Sequence, residues 1–115
     1  MTWNHPRGLL LVALLVSACS GPGAGITDRI RAANSPIIQE VDFSPSNLAG
    51  HPEEIFVFVI STATDAQVRD VWCNVVVPAG IDQLPPERVG LRRSGTAEPS
   101  DVVDGSSNLS KPQCH

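Results

Sequence analysis

The sequence has few basic residues, and this shortage excludes two classes of acidic partner. It contains eight Lys and Arg residues against twelve Asp and Glu residues, which gives a formal net charge of −4. Nucleic-acid-binding domains need a basic face to contact phosphates. Anionic lipid headgroups likewise attract polybasic segments. We therefore expect no nucleic acid partner and no electrostatic contact with lipid headgroups.

Motifs for enzymatic chemistry are also missing. The chain has no G-x-S-x-G nucleophile elbow and no phosphate-binding glycine loop. His51, Glu53 and Glu54 are close enough in sequence to suggest a metal site, but their turn-rich segment favours an exposed polar loop. Asp101 and Asp104 lack the other ligands of a calcium loop. The sequence therefore predicts a protein that is not an enzyme and that has no cofactor, metal site or catalytic residue.

No apolar run is long enough for a typical transmembrane helix. The longest, "LLLVALLV" from Leu9 to Val16, has eight residues. At about 1.5 Å of rise per residue it is far shorter than the roughly 30 Å of a bilayer core. It follows a short start with one fixed positive charge, Arg7, and precedes small residues. These three parts are typical of a secretory signal peptide.

The end of this segment, Val16-Ser17-Ala18-Cys19, resembles the lipobox of bacterial lipoproteins. The resemblance implies that the Cys19 thiol receives a diacylglyceryl group and that the chain is cut before Cys19. In many such proteins the new amine also gains an acyl chain such as palmitate. Residues 1–18 would then be the signal peptide, and the Gly/Ser/Pro-rich residues 19–25 a flexible tether. The alternative is an ordinary signal peptide that is cut close to Cys19.

Lipidation would hold the mature protein on a membrane by two or three acyl chains, which is enough for stable anchoring. The predicted location is the extracytoplasmic face of the cell membrane, and the membrane is the first predicted partner. The mature chain would carry seven basic and twelve acidic residues, which gives a net charge of −5, and Lys111 is its one lysine. The bias towards Arg, Ala, Gly, Pro and Val favours a GC-rich genome, such as that of an actinobacterium.

Two cysteines remain after Cys19, namely Cys73 and Cys114. An exported protein meets oxidising conditions, so an even number of remaining cysteines favours a disulfide. A metal or redox site is the alternative, but the chain has no CxxC motif. We predict a Cys73–Cys114 disulfide that ties the C-terminal segment to the domain.

Three elements are predicted before residue 62. "ITDRIRAAN", residues 26–34, has apolar residues on one helical face and predicts a short helix. "PIIQEVDF", residues 36–43, alternates between apolar and acidic side chains and predicts a half-buried strand. "EIFVFVIS", residues 54–61, is continuously apolar over most of its length and predicts a central strand.

A second helix is predicted over residues 65–77. Thr64 and Gln67 have the spacing of a capping box. The apolar residues then follow the i, i+3, i+4, i+7 and i+8 positions of a helix; they are Val68, Val71, Trp72, Val75 and Val76. A strand through "VWCNVVV" is the alternative, since consecutive valines favour extended chain.

These elements, with a third short strand near residues 88–92, predict an α+β fold. It is a small α-β-β-α-β domain over residues 26–93, with an antiparallel or mixed sheet, one covering helix and one disulfide. Residues 94–115 are expected to form an irregular tail held by Cys114. The element order resembles that of the BON domain of exported bacterial proteins, which implies contacts with phospholipid or other envelope components. Ser61 stands where the pattern of that family has a glycine, and no site residue follows from the resemblance.

Two functions are compatible with these features. The first is a membrane-anchored lipoprotein that binds an unidentified protein or other component of the cell envelope. The alternative is a carrier of a lipid or other small apolar molecule, held between the sheet and the helix at residues 65–77. A carrier would need a cavity of several hundred Å³ at that interface, on the order of known ligand pockets.

Overall fold

The computed structural model describes residues 21–47, 50–95 and 105–115. Helix α1 spans Gly23–Ala32 and is followed by strands β1, Ile38–Ser44, and β2, Glu54–Val59. Helix α2, Asp65–Val71, continues as a π-helix over Trp72–Val76. Two short 3₁₀ turns, Ile81–Gln83 and Pro86–Arg88, lead into β3, Val89–Arg93, and then β4, Ser107–Asn108. The predicted α+β fold and its α-β-β-α-β order are confirmed.

The four strands form one mixed sheet in the order β1-β2-β3-β4. β1 and β2 are antiparallel, β2 and β3 are parallel, and β3 and β4 are antiparallel. A parallel pair cannot be joined by a tight turn, so α2 and the 3₁₀ turns serve as the crossover between β2 and β3. β2 is therefore central in the main part of the sheet, as its apolar sequence predicts.

Both helices pack on the same face of the sheet, which we call the inner face. Every second residue of β2 points to this face, and these residues, Ile55, Val57 and Val59, are all 0% exposed. They join one apolar cluster with residues of both helices, the connecting turns and the neighbouring strands. Ile26 and Ile30 of α1 belong to this cluster, so α1 covers the sheet together with the predicted covering helix.

Helix α2 begins where its capping box predicts. The Gln67 backbone N–H donates to Thr64 Oγ1 at 3.1 Å, and the Thr64 N–H donates to Gln67 Oε1 at 2.9 Å. Val68, Val71, Trp72 and Val76 are at most 5% exposed, and Val75 is partly buried. The helix is therefore the correct choice over the alternative strand.

The second half of this helix is wider than an α-helix. The Val77 N–H donates to the Trp72 carbonyl at 2.9 Å, five residues back rather than four. Consecutive β-branched valines crowd an α-helical turn, and the following Pro78 has no N–H to donate. The π-helix at this point was not predicted.

Helix α1 begins at Gly23, three residues before the predicted start at residue 26. The last three residues of the predicted tether, 23–25, are therefore helical. The helix ends at Ala32, and Asn34 follows with a φ of 51°. Asn tolerates this left-handed conformation better than most residues and commonly ends helices in this way.

The C-terminal segment is more ordered than an irregular tail. Ser107 and Asn108 form β4 against Arg93 and Arg92, and the Leu109 N–H donates to the Leu91 carbonyl at 2.9 Å. Residues 105–115 therefore extend the sheet by one short strand.

Candidate interaction surface and anchoring end

The predicted disulfide is present. Cys73 and Cys114 are bonded, with a Cα–Cα distance of 5.3 Å and a sequence separation of 41. Cys73 lies in the π-helix, on the flank of the apolar stripe, and the C-terminal segment crosses that flank. Cys19, the predicted lipidation site, and the predicted signal peptide 1–18 lie outside the described residues.

Hydrogen bonds hold the C-terminal segment along the rest of its length. Lys111 Nζ donates to the carbonyls of Pro86 and Val89 at 2.8 and 2.9 Å. Arg69 donates to the carbonyl of Gln113 at 2.9 Å. These contacts and the disulfide together fix residues 109–115 across the helix flank.

Removal of the disulfide by the double substitution Cys73→Ser/Cys114→Ser should lower the free energy of unfolding by about 4 kcal/mol. The bond closes a long loop, so its loss restores conformational freedom to the unfolded chain. Denaturant titration measures the change, and limited proteolysis should show cleavage after residue 105. The control Lys111→Gln keeps the disulfide and should cost only about 1–2 kcal/mol for its hydrogen bonds. Equal stability of the double variant and the parent would contradict the predicted role of the bond.

The face of the sheet opposite the helices is different in chemistry, and we call it the outer face. It consists of the alternate strand residues, which include Glu40, Asp42, Glu54, Phe56, Phe58, Gly90 and Arg92. Phe58 is buried at 2% exposure, whereas Phe56 is partly exposed. Phe56 lies directly over Gly90, where a Cβ atom would collide with its ring. An aromatic side chain therefore lies at the centre of this face.

One edge of the outer face is acidic. Glu40 and Asp42 of β1 are exposed and lie opposite Phe58 and Phe56, and Glu54 begins β2. None of these three carboxylates forms a hydrogen bond or ion pair with the described part of the chain. On the opposite edge of the outer face, Arg92 forms its hydrogen bonds with the C-terminal segment. It donates to the Ser106 hydroxyl at 2.7 Å and also bonds Asn108. The face thus presents an aromatic group beside carboxylates that pair with no cation among the residues that the structure describes.

Glu53 is the residue that the sequence interpretation missed. It was expected in an exposed polar loop with His51 and Glu54. His51 is exposed, but Glu53 is only 8% exposed. Its Oε1 accepts the Gly23 N–H at 3.2 Å, at the start of α1. The three side chains therefore do not share a site, and within the described ranges no three His, Cys, Asp or Glu residues are grouped to hold a metal.

Open clefts lie around the edges of the sheet–helix interface. One of about 230 Å³ is lined by Trp72, Leu84 and Lys111, among others, beneath the C-terminal segment. Another of about 320 Å³ lies between the end of α1 and β1, beside Arg31. Arg31 there donates to the Val41 carbonyl at 2.8 Å. Both clefts are bordered by polar or charged groups.

Across the part of the chain that the structure describes, no helix has the length and apolar character needed to cross a membrane. Comparisons of the chain with protein-family models, curated proteins and solved structures found no match. The resemblances to the lipobox and to the BON element order therefore stay predictions from the sequence.

Proposed function

We propose that this protein is a membrane-anchored lipoprotein of the extracytoplasmic face, which binds another component of the cell envelope and catalyses no reaction. The anchor is Cys19, after removal of residues 1–18. The Cys73–Cys114 disulfide supports the location, because disulfides persist in oxidising compartments outside the cytoplasm.

The observation that carries the binding role is the outer face of the sheet. Both helices pack on the inner face, which leaves Phe56 partly exposed beside Glu40 and Asp42. Exposed aromatic groups are enriched where proteins bind one another. These carboxylates pair with no cation of the described residues. They favour a partner that presents Lys or Arg, since opposite charge steers and orients association. The mature chain has a net charge of −5, which likewise favours a basic partner.

The packing of the inner face favours this binding role over the alternative carrier. Ile55, Val57 and Val59 are completely buried against the helices. A lipid or other apolar ligand at that interface would have to displace these contacts. The clefts of about 230 and 320 Å³ described above are open to solvent and bordered by polar or charged groups.

Charge reversal on the outer face tests the binding role. A photo-crosslinking residue at Phe56 should capture a basic partner in the native membrane. Glu40→Lys/Asp42→Lys should remove most of that crosslink, because the substitution replaces attraction with repulsion. The recovered crosslink is measured by quantitative mass spectrometry.

The matched control is Asp82→Lys/Glu87→Lys. Both residues are exposed in the crossover turns, so this variant changes the net charge equally but leaves the outer face intact. It should crosslink as the parent does. Equal loss in both double variants, or no loss in either, would argue against the outer face as the binding surface.

A further inference from the structure

Strand β1 lies at one edge of the sheet. It comes first in the strand order, and within the described residues it pairs with β2 alone. We call the side of β1 that faces away from β2 the open edge. Backbone N–H and C=O groups along such an edge can pair with a strand from another chain.

The hydrogen bonds around the sheet identify the groups that point to the open edge. The Val59 carbonyl accepts the Ser94 N–H at 2.9 Å, on the side of β2 that faces away from β1. Every second residue of β2 shares this direction, so the β1 residues opposite them, Val41 and Phe43, turn their backbone groups away from β2. Arg31 agrees with this direction, since it donates to the Val41 carbonyl from outside the sheet at 2.8 Å.

The open edge can still form hydrogen bonds. Among the described residues, the bond from Arg31 is the only one that reaches the backbone groups of Val41 and Phe43. A carbonyl oxygen has two lone pairs, so the Val41 carbonyl can accept a second bond. The cleft of about 320 Å³ between α1 and β1 borders Val41. It leaves space beside this edge for a side chain of an added strand.

The side chains of β1 specify the charge of such a strand. Glu40 and Asp42 alternate with Val41 and Phe43 and are exposed on the outer face. In an antiparallel strand added at the open edge, the residues opposite these carboxylates would form non-hydrogen-bonded pairs, whose Cα atoms are only about 4.5 Å apart. Lys or Arg at those positions would make favourable cross-strand pairs. A second copy of this chain, paired across Val41, would instead place Glu40 opposite Asp42, and like charges directly opposite are destabilising.

We propose that the partner adds an extended basic segment to the open edge of β1, antiparallel to it, with Lys or Arg opposite Glu40 and Asp42. This inference rests on the proposed function, and it names the way in which the basic partner binds. The residues between the basic ones exchange backbone hydrogen bonds with Val41 and Phe43. The segment extends the four-stranded sheet by one strand. The backbone bonds supply affinity and the alternate carboxylates supply specificity.

The test uses the unreduced mature protein, purified in detergent, and a fluorescent peptide of alternating Thr and Lys that matches the seven residues of β1. With the lysines opposite the carboxylates, the threonine amides face the open edge and the lysine amides face away from it. N-methylation of the threonine amides should weaken binding at least about tenfold relative to N-methylation of the lysine amides, because only the first removes hydrogen bonds to the protein. Fluorescence anisotropy measures both affinities.

Amide hydrogen exchange locates the bound peptide. At a saturating concentration of the unmodified peptide, exchange at the Val41 and Phe43 amides should slow at least about tenfold, because these N–H groups gain partners. The amides of Glu40 and Asp42 point to β2, so their exchange should change little.

Charge variants test the specificity of the open edge. Glu40→Lys/Asp42→Lys should remove binding of the lysine peptide, and Asp82→Lys/Glu87→Lys should bind it as the parent does. A peptide with Glu in place of Lys should not bind the parent, because it meets the carboxylates with like charge.

Equal affinity of the two methylated peptides, no binding of the unmodified one, or equal binding of the Glu peptide would overturn strand addition. A dimer in sedimentation that protects the Val41 and Phe43 amides without peptide would assign the open edge to a second copy instead. The crosslink from Phe56 keeps the two proposals apart. If it still depends on Glu40 and Asp42, such results overturn strand addition alone, whereas a crosslink that ignores this charge overturns the proposed binding surface.

Discussion

Trp72→Ala should lower the free energy of unfolding by about 3–5 kcal/mol, the usual cost of deleting a buried large aromatic side chain. Trp72 is 5% exposed and lies where α2 widens into the π-helix, in contact with the main apolar cluster. A small domain is typically stable by only about 5–15 kcal/mol. The variant should therefore lose a large share of its stability, which thermal or urea unfolding measures.

The matched control for Trp72 is Asn74→Ala in the same helical turn. Asn74 is exposed and bonds Asp70 at 2.7 Å. Its replacement should change the free energy of unfolding by about 0.5 kcal/mol or less, as is usual for surface positions. Trp72→Phe should keep much of the packing, so its loss of unfolding free energy should lie between the losses in Trp72→Ala and Asn74→Ala. If Trp72→Ala unfolds at the same urea concentration as Asn74→Ala, Trp72 is not a core residue.

The sequence predicted those elements whose signals are local. The Thr64–Gln67 capping box and the apolar spacing after it fixed the start and the buried side of α2. The apolar run of residues 54–61 identified the central strand. Two cysteines remain after Cys19, and this count was sufficient to predict that Cys73 pairs with Cys114.

The features that the sequence did not predict depend on distant contacts. Helix α1 begins at Gly23 because a carboxylate thirty residues further along the chain accepts its first N–H. Nothing in "SGPGAG" indicates that contact, and the glycines there suggest a tether when they are considered alone. β4 is likewise only two residues long, and contacts of Arg92 with Ser106 and Asn108 hold it.

The outer face also depends on tertiary structure. The alternation in β1 predicted that Glu40 and Asp42 share one side of that strand. It did not predict that they would lie beside Phe56, because this requires the β1–β2 register. The position of the helices likewise depends on packing, since both join the apolar cluster of the inner face.

Cys19→Ala should release the protein from the membrane almost completely. A mature chain with two or three acyl chains stays bound, whereas one without them has a net charge of −5, which does not favour binding to anionic lipid. Detergent phase partitioning should move the protein from the detergent phase to the aqueous phase, and incorporation of labelled fatty acid should disappear.

The control for lipidation is Ser20→Ala, which changes the next residue and keeps the thiol. It should partition and incorporate fatty acid as the parent does. A Cys19→Ala protein that remains as membrane-bound and as lipid-labelled as the parent would contradict lipidation at Cys19.

The intact mass of the unreduced protein, extracted from its own membrane and treated with an alkylating reagent, tests the central claim most directly. The account predicts a chain that begins at Cys19, carries a diacylglyceryl group and takes up no alkyl group, since Cys73 and Cys114 are bonded to each other. A chain that begins at another residue, without lipid and with alkylated thiols, would contradict both the anchor and the extracytoplasmic location.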